Sequence, residues 1–234
     1  MGNYDKMATQ GAQLFLQQDQ DALLRRYPLE ADEHFLYIAF LGNRYRIDRV
    51  TGEVLSDRTC AATSDDAPCV PRSPIAGAGA YAGTAGADAT DSSPARDPSL
   101  ATPRQALIVL DMVCNPVGAP VRTGSWITMA EASGASNNPS ESALFKELIA
   151  TFSGKTARLQ AACDAVGAAP CPGGEVSALI DIFENYPVWL QFWDGDEEFP
   201  AQMKFLWDSS VRLYLHFETM WYILYEILER LVAC

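Results

Sequence analysis

Residues 187–208, PVWLQFWDGDEEFPAQMKFLWD, constrain the fold more than any other stretch. In the run PVWLQFWD, Val188, Leu190 and Phe192 fall on one side of an extended chain and Trp189, Gln191 and Trp193 on the other. Bulk on both faces predicts a central or covered strand. Five carboxylates, Asp194, Asp196, Glu197, Glu198 and Asp208, follow among three tryptophans, so the strand is expected to end in an acidic loop with aromatic walls.

The neighbouring segments predict the rest of an α+β fold. FLYIAFL (35–41), RYRID (44–48) and EVL (53–55), separated by Gly42 and Asn43 and by Thr51 and Gly52, read as an antiparallel meander. Residues 4–26 carry Met7, Leu14, Phe15, Leu23 and Leu24 at helical spacing, with a break expected near Gly11. Thr102 and Pro103 suit the N-cap and first position of an apolar helix ending near Asn115. TGSWITM (123–129) reads as a short strand or turn, and QMKFLWD (202–208) as a strand. Helices are expected from Pro139 to Thr151, from about Gly154 through Ala165 to Gly167, and over Val176–Phe183. In the last helix Met220, Ile223, Leu224, Ile227, Leu228 and Leu231 form an apolar stripe suited to docking on the sheet. The expected architecture is a small antiparallel or mixed sheet packed with several helices and closed by a C-terminal amphipathic helix.

One domain over residues 1–234 is expected, since 48% of the residues are hydrophobic and supply one substantial core. Residues 56–100, rich in Ala, Gly, Ser, Pro and Thr, lack apolar periodicity and read as a flexible insert within it. The 17 Lys and Arg stand against 30 Asp and Glu, a formal charge of −13 that disfavours nucleic acid and anionic membrane surfaces as partners. Residues 1–27 do not combine a basic start with an apolar run, and Glu218, Glu226, Glu229 and Arg230 interrupt the most apolar stretch, so a cytoplasmic protein is expected.

The acidic loop invites three kinds of chemistry. Asp194, Asp196, Glu198 and Asp208 offer oxygen ligands for a divalent cation, yet an EF-hand wants glycine and glutamate where this chain has Phe199 and Phe205. Carboxylates flanked by Trp189, Trp193 and Trp207 suit sugar chemistry. The same acids also suit turns and caps. Of the two histidines, His34 and His216, the second lies near Glu218, a carboxylate that tunes an imidazole. Six cysteines without a C-x-x-C pair read as reduced thiols, with Cys60 and Cys69, and Cys163 and Cys171, as alternative ligand pairs. A G-x-S-x-G elbow is missing.

FLGNRYRID with TGEV, Gly124-Ser125-Trp126 in TGSWITM, residues 195–200 (GDEEFP) and VRLYLHFET together resemble the domain-of-unknown-function family numbered 3786. Trp207 stands where that family usually has phenylalanine. The resemblance implies an uncharacterised cytoplasmic protein of an anaerobe and, by analogy with relatives that carry an attached iron-sulfur-type cysteine domain, a link to corrinoid or one-carbon metabolism, although this chain lacks that cysteine module. The late run marks the family and is not a catalytic signature, and the cofactor stays open. The expected function is binding of a small molecule, cofactor or protein partner at a rim of Trp193, Asp194, Asp196, Glu197, Glu198 and Asp208, with His216 nearby. A divalent-metal hydrolase using those carboxylates, with His216 or Glu218 carrying protons, and a structural or interaction protein are the alternatives.

Overall fold

The computed structural model describes residues 3–27, 29–57, 99–115, 121–134, 143–184 and 186–234. Helix α1 (Asn3–Gln17) runs unbroken through Gly11, and the chain restarts as α2 (Gln20–Arg26). The expected break therefore moves to Gln18 and Asp19, where the Asp19 carboxylate accepts the Ala22 N–H and caps the new helix. Gly11 serves close packing instead, since a Cβ there would lie 3.2 Å from Leu110 Cδ1.

The meander forms as β1 (Glu30–Ala31), β2 (Phe35–Phe40), β3 (Asn43–Asp48) and β4 (Val54–Ser56), joined by β5 (Ser99–Leu100), all antiparallel and in sequence order. Its first turn is Leu41 and Gly42, one residue earlier than expected, because Asn43 pairs with Phe40 as the first residue of β3. Leu41 has φ 47° and Gly42 φ 71°, the two positive values that a tight hairpin of this twist requires. Leu41 tolerates this because its N–H donates to the Ile182 carbonyl at 2.8 Å and its side chain is buried. Most of the expected insert, residues 58–98, lies outside the described residues. Its two ends pair with each other, Leu55 with Leu100 and Ser56 with Ser99.

The expected Thr102 cap and Pro103 open α3 (Pro103–Cys114), and Gln105 completes a capping box with Thr102. Next come β6 (Trp126–Thr128), α4 (Met129–Ser133), α5 (Ala143–Phe152) and α6 (Thr156–Ala165). The expected helix start at Pro139 lies outside the described residues, while Gly154 and Gly167, at φ 70° and 75°, punctuate the chain where expected.

The principal correction is Val176–Phe183, which is a strand. β7 (Ala169–Pro170), β8 (Val176–Phe183), β9 (Tyr186–Trp193) and β10 (Gln202–Asp208) join β6 in a second antiparallel sheet, ordered β6-β10-β9-β8-β7. Eight residues, six of them apolar, carry too little periodicity to separate helix from strand. Pairing decides: β8 lies along β9 from Val176 opposite Phe192 to Phe183 opposite Tyr186. β9 is central, as its two-sided bulk predicted.

Helix α7 (Phe217–Ala233) buries its predicted stripe, and it meets α3, α5 and α6. At roughly 1.5–3 kcal/mol per large apolar side chain, six such residues contribute on the order of 10 kcal/mol as an upper estimate. That margin accommodates Glu226, 4% exposed on the same helix, whose carboxylate takes the Arg104 Nε–H at 2.7 Å and the Gln105 amide at 3.1 Å. The buried residues of both sheets and the helices form a contiguous hydrophobic core. Among the described residues no helix is long and apolar enough to cross a membrane.

Candidate functional site

Side-chain alternation gives the second sheet two unlike faces. Val188, Leu190, Phe192, Met203, Phe205 and Trp207 point inward and are buried. Phe145 of α5 meets Phe205 edge-on, with ring centroids 5.7 Å apart, which identifies this as the helix-covered face. Cross-strand register then fixes the other face: Trp189 is opposite Leu206 and Leu179, Gln191 opposite Lys204 and Ser177, and Trp193 opposite Gln202. Trp126 and Thr128 of β6 fall opposite Asp208 and Leu206 and join the same side.

Three indoles, Trp126, Trp189 and Trp193, thus emerge together on the outward face, each half-buried. Trp126 and Trp189 meet edge to face, with centroids 5.3 Å apart and planes at 68°. The Trp189 Nε1–H donates to Ser177 Oγ at 2.8 Å, which fixes the ring. Gly173 borders it so closely that a Cβ would lie 3.4 Å from Trp189 Cζ2 and 2.7 Å from Gln191 Nε2. Two cations lie over the indoles: the Arg122 guanidinium 5.4 Å from the Trp126 centroid and the Lys204 ammonium 5.0 Å from that of Trp193. Asp181 shares the face, and desolvation by its neighbours raises its pKa more than Arg122 lowers it.

The five loop carboxylates do not converge. Asp194 ends β9 and accepts the N–H groups of Gly154 and Gly195, at 2.9 and 2.8 Å, tying the sheet to the α5–α6 junction. Asp196 accepts the N–H groups of Glu198 and Phe199 at 2.8 and 2.7 Å, and those bonds lower its pKa. This is an Asx turn. Glu197 and Glu198 are exposed, next to a Phe199 that is 62% exposed.

Asp208 lies at the far end of β10, about 20 Å away at the rise of an extended strand. It is fully buried and accepts the Thr123 N–H and hydroxyl at 2.9 and 2.8 Å, the Gly124 N–H at 2.8 Å, and the Ser210 N–H at 3.0 Å and hydroxyl at 2.6 Å. Burial raises its pKa, but the donors from Ser210 and Thr123 outweigh it and bring the carboxyl down to about 2. Ser210 extends the network to the Tyr214 hydroxyl at 2.9 Å, and Tyr186 donates to the Asp208 carbonyl at 3.2 Å. Asp208 thereby fastens the segment that carries Arg122 and Trp126. His216 is elsewhere again: at the start of α7 its N–H and its Nδ1 both meet the Asp111 carboxylate of α3.

Of the predicted site residues, Trp193 and residues 194–198 share one rim, while Asp208 and His216 stand apart from it. The sequence reading did not reach Trp126, Arg122 and Lys204 as neighbours of Trp189. Strand alternation carries the signal for Trp189 and Trp193, but nothing local puts β6 beside β10. Trp207, expected as a sugar wall, is buried in the core with no acceptor for Nε1 among the described residues. Burial pushes the Cys114 and Cys163 thiols up to about 12, which leaves them poor nucleophiles. Cys60 and Cys69 lie outside the described residues. Among the described residues no group of three or more His, Cys, Asp or Glu side chains gathers where it could hold a metal ion.

These features define an α+β protein that has, among the described residues, two five-stranded antiparallel sheets, the second turning an aromatic face outward. The chain belongs to the domain-of-unknown-function family DUF3786, whose profile matches residues 85–230. The match covers the whole second sheet and most of α7. Comparison with curated proteins and with solved structures yields no match.

Proposed function

We propose that this chain is a binding protein that takes a small molecule on the outward face of its second sheet, a face that ends at the acidic rim of Trp193 and residues 194–198. The observation that carries this reading is the gathering of Trp126, Trp189 and Trp193 on the face away from the helices. Partly exposed indoles gathered on one sheet face offer flat apolar surface with a polar N–H edge, the chemistry that recurs at binding sites. Rigidity supports it as well: Ser177 fixes Trp189, Asp208 fixes the strand approach to Trp126, and the Asx turn at Asp196 fixes the rim. Binding to such a surface loses little conformational entropy.

Native mass spectrometry of the protein purified without oxygen or chelator, compared with its denatured mass, tests this. A retained organic mass that disappears in Trp189→Ala supports the reading. A retained mass that survives that substitution contradicts it.

A further inference from the structure

We infer that the ligand is an anion built on a flat ring system, its ring laid in the corner between Trp126 and Trp189 and its charge met by Arg122. The inference rests on the binding reading above and adds the ligand's chemistry to it.

The first argument is charge. In a chain of net charge −13, Arg25, Arg44, Arg46, Arg49 and Arg104 each meet a carboxylate within 4 Å. Arg122 and Lys204, like Arg26 and Arg158, make no such ion pair among the described residues, and what sets these two apart is that both stand over indoles of the same sheet face. A guanidinium stacked on a ring keeps the edges of its N–H fork available, and that fork matches a carboxylate, sulfonate or phosphate.

The second argument is shape. Arg122 and Lys204 already lie over Trp126 and Trp193, so the face does not offer the open row of ring planes that a neutral sugar stacks upon. What remains is a corner, with the Trp126 and Trp189 planes at 68° and Gly173 close against the Trp189 ring. A planar ring fits there by offset or edge contact.

Position is the third. The acids of residues 194–198 stand at the opposite end of β10, about 20 Å from the Arg122 end, roughly twice the Debye length at physiological salt. They are screened from an anion bound beside Arg122. The nearer opposing charge is Asp181, whose carboxylate feels the Arg122 charge.

Two dyes on one ring scaffold separate the anion claim from the face claim: 8-anilinonaphthalene-1-sulfonate and the uncharged N-phenyl-1-naphthylamine, titrated by fluorescence. Each variant is first checked for a wild-type melting transition. The expected results are tighter binding of the sulfonate, a loss of about fivefold or more in its affinity in Arg122→Gln with the neutral dye changed less than about twofold, and a gain in Asp181→Asn. Trp189→Ala should weaken both dyes. Equal binding of the two dyes with no response to Arg122→Gln overturns the anion claim and leaves the face standing. Binding of both dyes unaffected by Trp189→Ala, or no binding of either, overturns both.

Discussion

The Asp208 carboxylate holds the Gly124 amide at 2.8 Å, across 84 residues of sequence. This bond and its neighbours pin the approach to β6 onto the end of β10, so that Arg122 and Trp126 stand beside Trp189. An acid that reads in sequence as part of a loop of ligands works in the fold as an anchor for a cation and an indole.

Asp208→Asn should therefore destabilise the protein by about 2–4 kcal/mol, because an amide turns an N–H donor toward amides that need an acceptor. Urea unfolding measures the loss, and a change under about 0.5 kcal/mol would contradict the anchor role. The pH dependence has a definite sign. The folded pKa of about 2 lies below the unfolded value of about 3.9, so the contribution is full above pH 4 and is lost as pH falls from 4 toward 2. That stretch of acid sensitivity, on the order of 2 kcal/mol, should be missing from the variant.

Arg104→Ala should cost about 2–3 kcal/mol, since it leaves the buried Glu226 with only the Gln105 amide. Replacing both partners, as Arg104→Met with Glu226→Leu, should recover most of that loss. Chemical denaturation of the three proteins decides it, and a double variant as unstable as Arg104→Ala would show that the charges themselves hold α3 to α7.

Trp207→Phe should be tolerated within about 1.5 kcal/mol. The smaller ring gives up buried area, but it also removes an indole N–H that has no acceptor, and such a buried donor costs about 1–3 kcal/mol. Calorimetric melting of the variant tests this. A loss above about 3 kcal/mol would mean that the N–H is satisfied in solution.

Gly174→Ala should be severe. The residue has φ 66°, and a Cβ would lie 2.3 Å from the Phe192 carbonyl oxygen, which is backbone and cannot yield without breaking the β8–β9 ladder. A loss above about 2 kcal/mol is expected from denaturant unfolding, and a neutral outcome would mean that Gly174 does not lie against the Phe192 backbone.

How much was legible in sequence follows from how local each signal is. The strands of the meander, the Thr102 cap and the two-sided strand at residues 186–193 rest on neighbours within a few positions and formed, with the first hairpin turn one residue earlier than its sequence suggests. Val176–Phe183 failed because its identity as a strand comes from a partner, β9, and not from its own period. The candidate site was legible only in part for the same reason. Alternation sends Trp189 and Trp193 to one face, yet the contacts that bring Trp126, Arg122 and Asp208 to that sheet span some 60 to 85 residues. The acids misled because Asp194, Asp196 and Asp208 spend their oxygens on backbone amides, a use that composition does not distinguish from ligand binding.

The most direct test of the aromatic face is a 15N-indole NMR spectrum of the five tryptophans during titration with 2-naphthoate. The account predicts that the Trp126 and Trp189 signals move while those of Trp207 and Trp221 stay in place. Shifts confined to Trp207 or Trp221, or five unmoved signals, would contradict it.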